Sequence, residues 1–203
     1  ENDPLMVLSN QLIAHYFSSD TKIDEAKDKF DRAYRMLVDG MRESGLSPVI
    51  YPDANSTLRL TYGKVSPLPK DPRNDAKENY YTTLKGTVKK FVKDDPEFDL
   101  PQGLIDLYDA KDFGQYADDD GYMPVNFLTN NDITGGNSGS PVLNGNGELI
   151  GLAFDGNIEA MAGDVIFDDK LQKTINVDIR YVLFLIDKYA GAKHIVDEMT
   201  VIK

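Results

Sequence analysis

The run GGNSGSP at residues 135–141 sets one serine among small and polar residues, directly ahead of an apolar stretch. A serine hydroxyl attacks a carbonyl only when a base takes its proton and hydrogen-bond donors meet the oxyanion that forms. Gly135 and Gly136 admit backbone angles closed to other residues, so the N–H groups of Gly136 and Ser138 can converge on one point. Gly139 leaves room for a substrate beside the hydroxyl. Ser138 is therefore the candidate nucleophile, and the amides of Gly136 and Ser138 are the candidate oxyanion hole. The same string also suits a glycine-rich hairpin turn. The strand, elbow and helix of G-x-S-x-G hydrolases are not expected here, because Pro141 and a further strand-like run follow the serine.

Other chemistry is narrowed by composition. Cysteine is absent, which removes disulfides, thiolate nucleophiles and thiolate metal sites. The two histidines, His15 and His194, fall on predicted helical or terminal segments and read as ordinary structural or surface residues. Asp112 with Asp118, Asp119 and Asp120 lacks the spacing and closing Glu of a calcium loop, so it reads as a solvated acidic loop, and no metal or cofactor is expected. With 34 acidic against 22 basic side chains the formal net charge is -12. That balance, without any basic run, opposes nucleic-acid and anionic-membrane partners. No stretch of 18 apolar residues exists to span a membrane, and ENDPLMVLSN lacks the features of a signal peptide. The absence of an initial Met fits a processed product or a piece of a longer chain.

The elements that must position Ser138 are unevenly legible. Ile23, Ala26, Phe30, Leu37 and Met41 recur at helical spacing and predict a helix over 21–41, opened by a Thr21/Asp24 capping pair and stopped by Gly45 and Pro48. Residues 5–17 form a second helical candidate without clear caps. TLRLTYGK at 57–64 alternates as a strand does, residues 66–80 read as a proline-rich excursion, and TTLKGTVKKF is open between strand and helix. A short helix is expected near 102–110. Short runs at 124–128, 140–143, 147–154, 162–167 and 173–178 predict strands, with NGNG at 144–147 turning a hairpin. Regularly spaced short strands predict an antiparallel barrel or sandwich, and Ile179 to Ala190 a closing helix ended by Gly191.

TGGNSGSPVLNGNGELIGLAFDGN resembles the nucleophile segment of chymotrypsin-like serine peptidases. More closely, YPDANSTLRLTYGK (51–64), TNNDITGGNSGS (129–140), LAFDGNIEAMAGD (152–164) and TINVDIRYVLFLI (174–186) resemble peptidase family S46, the bacterial dipeptidyl-peptidase 7/11 family. The resemblance implies a mainly β fold with flanking helices, built on the second antiparallel β-barrel of a trypsin-like peptidase. Residues 1–45 would be the end of an inserted helical domain, and residues 46–203 the C-terminal barrel with its terminal helix. It implies Ser138 as the nucleophile of a serine dipeptidyl-peptidase that releases N-terminal dipeptides, with peptides as substrates. The catalytic His and Asp would come from a first barrel outside this chain, which leaves the isolated chain inactive.

In the family the strand after the nucleophile, here residues 151–157, runs past the substrate, which makes Gly156 an expected substrate-binding residue. Phe154, Ile158, Met161 and Phe167 are apolar residues of the kind that ordinarily enter a core, and of these Phe154 and Ile158, flanking Gly156, are expected to bind substrate with it. Acidic-specific members carry an arginine where this chain has Gly156, so the resemblance implies hydrophobic or broad preference at P1, the residue whose carbonyl is attacked. Asp132, six residues before Ser138, stands where trypsin-like enzymes place an acidic pocket residue, but the family pattern does not support that role, and a turn Asp is expected. The resemblance further implies homodimers and a periplasmic or cell-surface location in a Gram-negative bacterium. The other reading is a non-catalytic β-barrel module for peptide binding or protein interaction. A second barrel without its first is expected to expose an apolar face and self-associate.

Overall fold

The computed structural model describes residues 3–18, 21–45, 57–69, 79–162 and 167–202. Its contacts divide the chain into two units, Glu1–Tyr51 and Pro52–Lys203. The first unit holds helices α1 (Pro4–Tyr16) and α2 (Thr21–Glu43). The start of α1, for which no clear cap was expected, is capped by Asp3, whose carboxylate accepts from the Leu5 amide at 2.8 Å, with Pro4 in the first turn. The periodicity that predicts α2 is realised over its whole length. Gly45 follows it with φ +70° and donates to the Arg42 carbonyl at 3.2 Å, the left-handed ending that glycine permits. Pro48 lies outside the described residues.

The second unit is built on five antiparallel strands: β1 (Tyr81–Thr83), β2 (Pro124–Thr129), β3 (Pro141–Leu143), β4 (Leu149–Gly156) and β5 (Thr174–Asp178). Their order across the sheet is β1-β2-β5-β4-β3. The undecided TTLKGTVKKF is both things in turn. β1 passes into α3 (Leu84–Lys89), and Thr83 caps the helix by accepting from the Gly86 amide. Helix α4 (Gln102–Ala110) lies where it was expected. After β5 the chain turns into α5 (Ile179–Phe184), widens into a π turn at Leu185–Tyr189, passes Gly191 at φ +67°, and ends in α6 (Lys193–Asp197). Asp178 starts α5 by accepting from the Arg180 amide at 2.9 Å while its carboxylate also holds the Arg180 guanidinium at 2.9 and 2.7 Å. Leu84, Leu104, Phe113, Tyr116, Met123, Leu183, Phe184 and Val196 form the core, which these helices close against the sheet.

The expected closed β-barrel, and with it a mainly β chain, is not what forms. The described residues contain more helix than strand, and β1 and β3 are the two free edges of one open sheet. Two of the anticipated strands account for the difference. Residues 57–65 are extended, but only Val65 makes a ladder bridge, to Thr129. Elsewhere along this strap side chains replace the ladder: Lys64 N donates to Asn130 Oδ1 at 2.8 Å, Thr61 Oγ1 to the Asp132 carbonyl at 2.6 Å, and Arg59 Nη2 to Asn137 Oδ1 at 3.1 Å. Its alternating Leu58, Leu60 and Tyr62 are 102%, 85% and 87% exposed, so the period-2 pattern that reads as a strand has no covering layer among the described residues. The run at 162–167 begins in a 3₁₀ turn, Ile158–Ala162, and residues 163–166 lie outside the described ones.

Candidate active site

Ser138 sits at the tip of a loop that its own sequence folds. Asn137 does most of the folding: its amide donates to the Thr134 carbonyl at 3.1 Å, and its Oδ1 accepts from the Thr134 amide at 3.0 Å and from Arg59. Its carbonyl accepts from Ser140 N at 2.9 Å. Gly136 at φ +100° and Gly139 at φ +78° take the backbone angles this path needs, and neither position accepts a side chain without strain. Among the described residues no group of the protein accepts a hydrogen bond from the amide of Gly136 or Ser138, which leaves both donors available to an oxygen.

The loop is fastened to β4. Gly139 N donates to the Ala153 carbonyl at 2.7 Å, and Ala153 N returns a bond to the Ser140 carbonyl at 2.9 Å. Across β4 and β5, Ala153 pairs with Asn176 and Asp155 with Ile175, which leaves Phe154 as the extra residue of a β-bulge. The bulge points the Phe154 carbonyl at the serine, and Ser138 Oγ donates to it at a long 3.4 Å. This is the hydroxyl's contact among the described residues, so no imidazole or carboxylate activates it there. His15 and His194 are exposed on α1 and α6.

A cavity of about 290 Å³ opens beside Ser138. Of the three residues expected to bind substrate, Phe154 and Gly156 line it, whereas Ile158 is 79% exposed and does not. Met161 and Phe167, apolar side chains of the kind that ordinarily enter a core, are lining residues as well. Asp132 also borders the space. Sequence reasoning missed Asn157, Lys173 and Thr174, which line it as well, Thr174 as the β5 partner of Gly156. Only the neighbour of Gly156 in DGN carried a signal, since an Asn after a strand-ending glycine is a turn former. A Cβ added at Gly156 would lie 2.6 Å from that of Ala160, so the cavity wall is glycine because the following turn folds directly over it.

The charged groups are tied locally. Lys173 is 2% exposed, and its Nζ donates to the carbonyls of Asp169 and Lys170. Burial pulls its pKa below the usual lysine value, against the opposing attraction of Asp169 and Asp168. Asp118 Oδ1 accepts from the amides of Asp120 and Tyr122, and Asp112 pairs with Lys188 at 2.8 Å. Among the described residues no three or more His, Asp or Glu side chains gather as a metal site, and no helix is long and apolar enough to cross a membrane.

The sequence pattern of the family described as Peptidase S46 matches residues 1–201. A dipeptidyl-peptidase 7 of Capnocytophaga gingivalis is 61% identical over the whole of this chain, which spans 28% of that protein. An Asp/Glu-specific dipeptidyl-peptidase of the same organism is 54% identical over 76% of the chain, covering 21% of the relative. The crystal structure of Porphyromonas endodontalis DPP11 in complex with dipeptide Arg-Glu superposes with a TM-score of 0.76 at 40% identity, over 88% of this chain and 26% of that one. The chain thus spans about a quarter of the length of the proteins it resembles.

Proposed function

Since the chain belongs to the peptidase S46 family, we propose that it is the nucleophile-bearing part of a serine dipeptidyl-peptidase, with Ser138 as the attacking residue. Ser138 Oγ adds to the carbonyl carbon of the second residue of a peptide, and its proton passes to an imidazole and on to the departing amine. The amides of Gly136 and Ser138 hold the oxyanion, and water then releases the dipeptide from the acyl-enzyme. The base and its orienting carboxylate belong to residues outside this chain. Residues 1–45 are the end of a helical part, and 46–203 carry the peptidase part. The enzyme works in the periplasm or at the cell surface.

The single observation that carries the reading is the Ser138 loop beside a cavity, with the Gly136 and Ser138 amides bonded to no acceptor among the described residues. Gly156 supports a hydrophobic or broad P1 preference, because a glycine there brings no positive charge to meet an acidic side chain. The second reading, a peptide-binding module without catalysis, is favoured by one fact: the Ser138 hydroxyl contacts only a backbone carbonyl among the described residues. A fluorophosphonate that labels activated serines separates the two. It is expected to label Ser138 in a protein of the relatives' length containing this chain, to spare the isolated chain, and to spare Ser138→Ala. Absence of labelling in the longer protein would leave the binding module as the reading.

A further inference from the structure

Beyond the end of β4, Asn157 engages every polar atom it has. Its amide donates to the Lys173 carbonyl at 2.9 Å, and its Oδ1 accepts from the Lys173 amide at 2.8 Å. Its Nδ2 donates to the Leu171 carbonyl at 2.8 Å and to Glu159 Oε2 at 2.7 Å. Its carbonyl accepts from the Ala160 amide at 2.9 Å.

The pattern has a geometrical meaning. The β4–β5 ladder ends at Gly156 opposite Thr174, so the next antiparallel pair would be Asn157 with Lys173. That pair forms, but the acceptor on Asn157 is the side-chain oxygen rather than the main-chain one. The substitution frees the Asn157 carbonyl to rotate out of the sheet and begin the 3₁₀ turn through Ala160. One amide side chain thus extends the ladder by a residue and releases the backbone into a turn at the same point. A residue without an oxygen at that reach can do one or the other.

The turn so held forms the cavity rim. Ala160 and Met161 border the space, and Ala160 lies so close over Gly156 that no side chain fits between them. We propose that Asn157 is a positioning residue for P1 selection: by locking the 158–161 turn over Gly156 it sets how large a side chain the cavity admits. This rests on the reading above that the cavity takes the P1 side chain.

The test uses the longer protein containing this chain, as wild type, Asn157→Ala and Glu159→Gln, with kcat and KM measured on fluorogenic dipeptides whose P1 residue is Ala, Leu, Met or Phe. The rate at which a fluorophosphonate labels Ser138 reports in parallel on whether the nucleophile loop is intact. Losing the side-chain bonds opens the turn, so the kcat/KM ratio between the best wild-type P1 residue and the largest one is expected to shift about tenfold toward the largest. The change should lie mainly in KM, with the labelling rate within about twofold of wild type. Glu159→Gln still accepts from Nδ2 and should keep the wild-type ratio. An equal loss of kcat/KM for every P1 residue, or labelling slowed in step with turnover, would overturn the assignment in favour of a purely structural Asn157. If the wild type labels and turns over but Asn157→Ala leaves the ratio unshifted, only this inference falls. If the wild type neither labels nor turns over, the peptidase reading falls first and this one with it.

Discussion

Gly156→Ala is the smallest change that tests whether the cavity wall is as tight as its geometry requires. The added carbon would lie 2.6 Å from the Ala160 Cβ, whereas non-bonded carbons rest about 3.5–4.0 Å apart. Ala160 has no rotamer to move, and the turn carrying it is held by the Asn157 bonds, so relief requires a shift of roughly 1 Å in the backbone itself. The φ of Gly156 is outside the left-handed region, so alanine meets a steric obstacle there and no conformational one. Overpacking of this kind costs about 1–3 kcal/mol, which for a chain of this size lowers the melting temperature by about 2–12 °C. The assay is thermal unfolding of Gly156→Ala, Ala160→Gly and the double variant. Ala160→Gly removes the opposing carbon and should itself cost about 0.5–1 kcal/mol. The double variant is then expected to unfold close to Ala160→Gly alone, with an interaction of about 1–3 kcal/mol between the two sites. Simple addition of the two single costs would refute the contact, and with it the account of why this wall is a glycine.

Three further outcomes follow from other contacts. Asp178→Ala removes the α5 cap and strands a half-exposed Arg180, and denaturant unfolding should register a loss of about 2 kcal/mol. Tyr116→Phe deletes the 2.8 Å bond to Asp187 that ties the Gly114–Tyr116 turn to the carboxyl-terminal helices, for about 1 kcal/mol by the same measurement. Lys173 has a folded pKa below its ordinary 10.5, so the unfolded chain holds the extra proton between the two values and stability should rise with pH on approach to 10.5. Lys173→Met should lose that rise relative to wild type, and parallel stability–pH curves for the two proteins would contradict the burial of the ammonium.

Legibility in the sequence followed the range of the interactions involved. Helix α2, helix α4 and the Asn144–Glu148 hairpin rest on local periodicity and turn chemistry, and each is found where the pattern puts it. In the hairpin, Asn144 Oδ1 accepts from the amides of Asn146 and Glu148, and Gly147 takes φ +82°. The cap of α1 was local too, but Asp3 lies ahead of the apolar run that drew attention to the helix. What failed was non-local. Alternation in residues 57–64 states that one face is apolar, not that a neighbouring strand will bond to it, and here the Lys64 amide meets the Asn130 side chain while Thr61 and Arg59 bond through their own side chains. In the candidate site, Ser138, Gly136, Phe154 and Gly156 lie on one short stretch of chain. Lys173 and Thr174 reach the cavity only through β4–β5 pairing, and nothing in their own neighbourhood announces it. Ile158 was placed in the cavity by its nearness in sequence to Gly156, and the 3₁₀ turn carries it outward.

The mutual bonds of Gly139, Ser140 and Ala153 join the two arms of a single hairpin. Its contacts close over short spans of chain, which form within microseconds and carry little loop-closure entropy. The Ser138 loop and β4 up to Ala153 are therefore fastened to each other locally, while the Phe154 bulge and the Gly156 wall take their form from the pairing of β4 with β5. Under the proposed function, two separate parts of the chain thus divide the work: the local hairpin presents the serine, and the later strand β5, through Lys173 and Asn157, gauges which side chain is accepted.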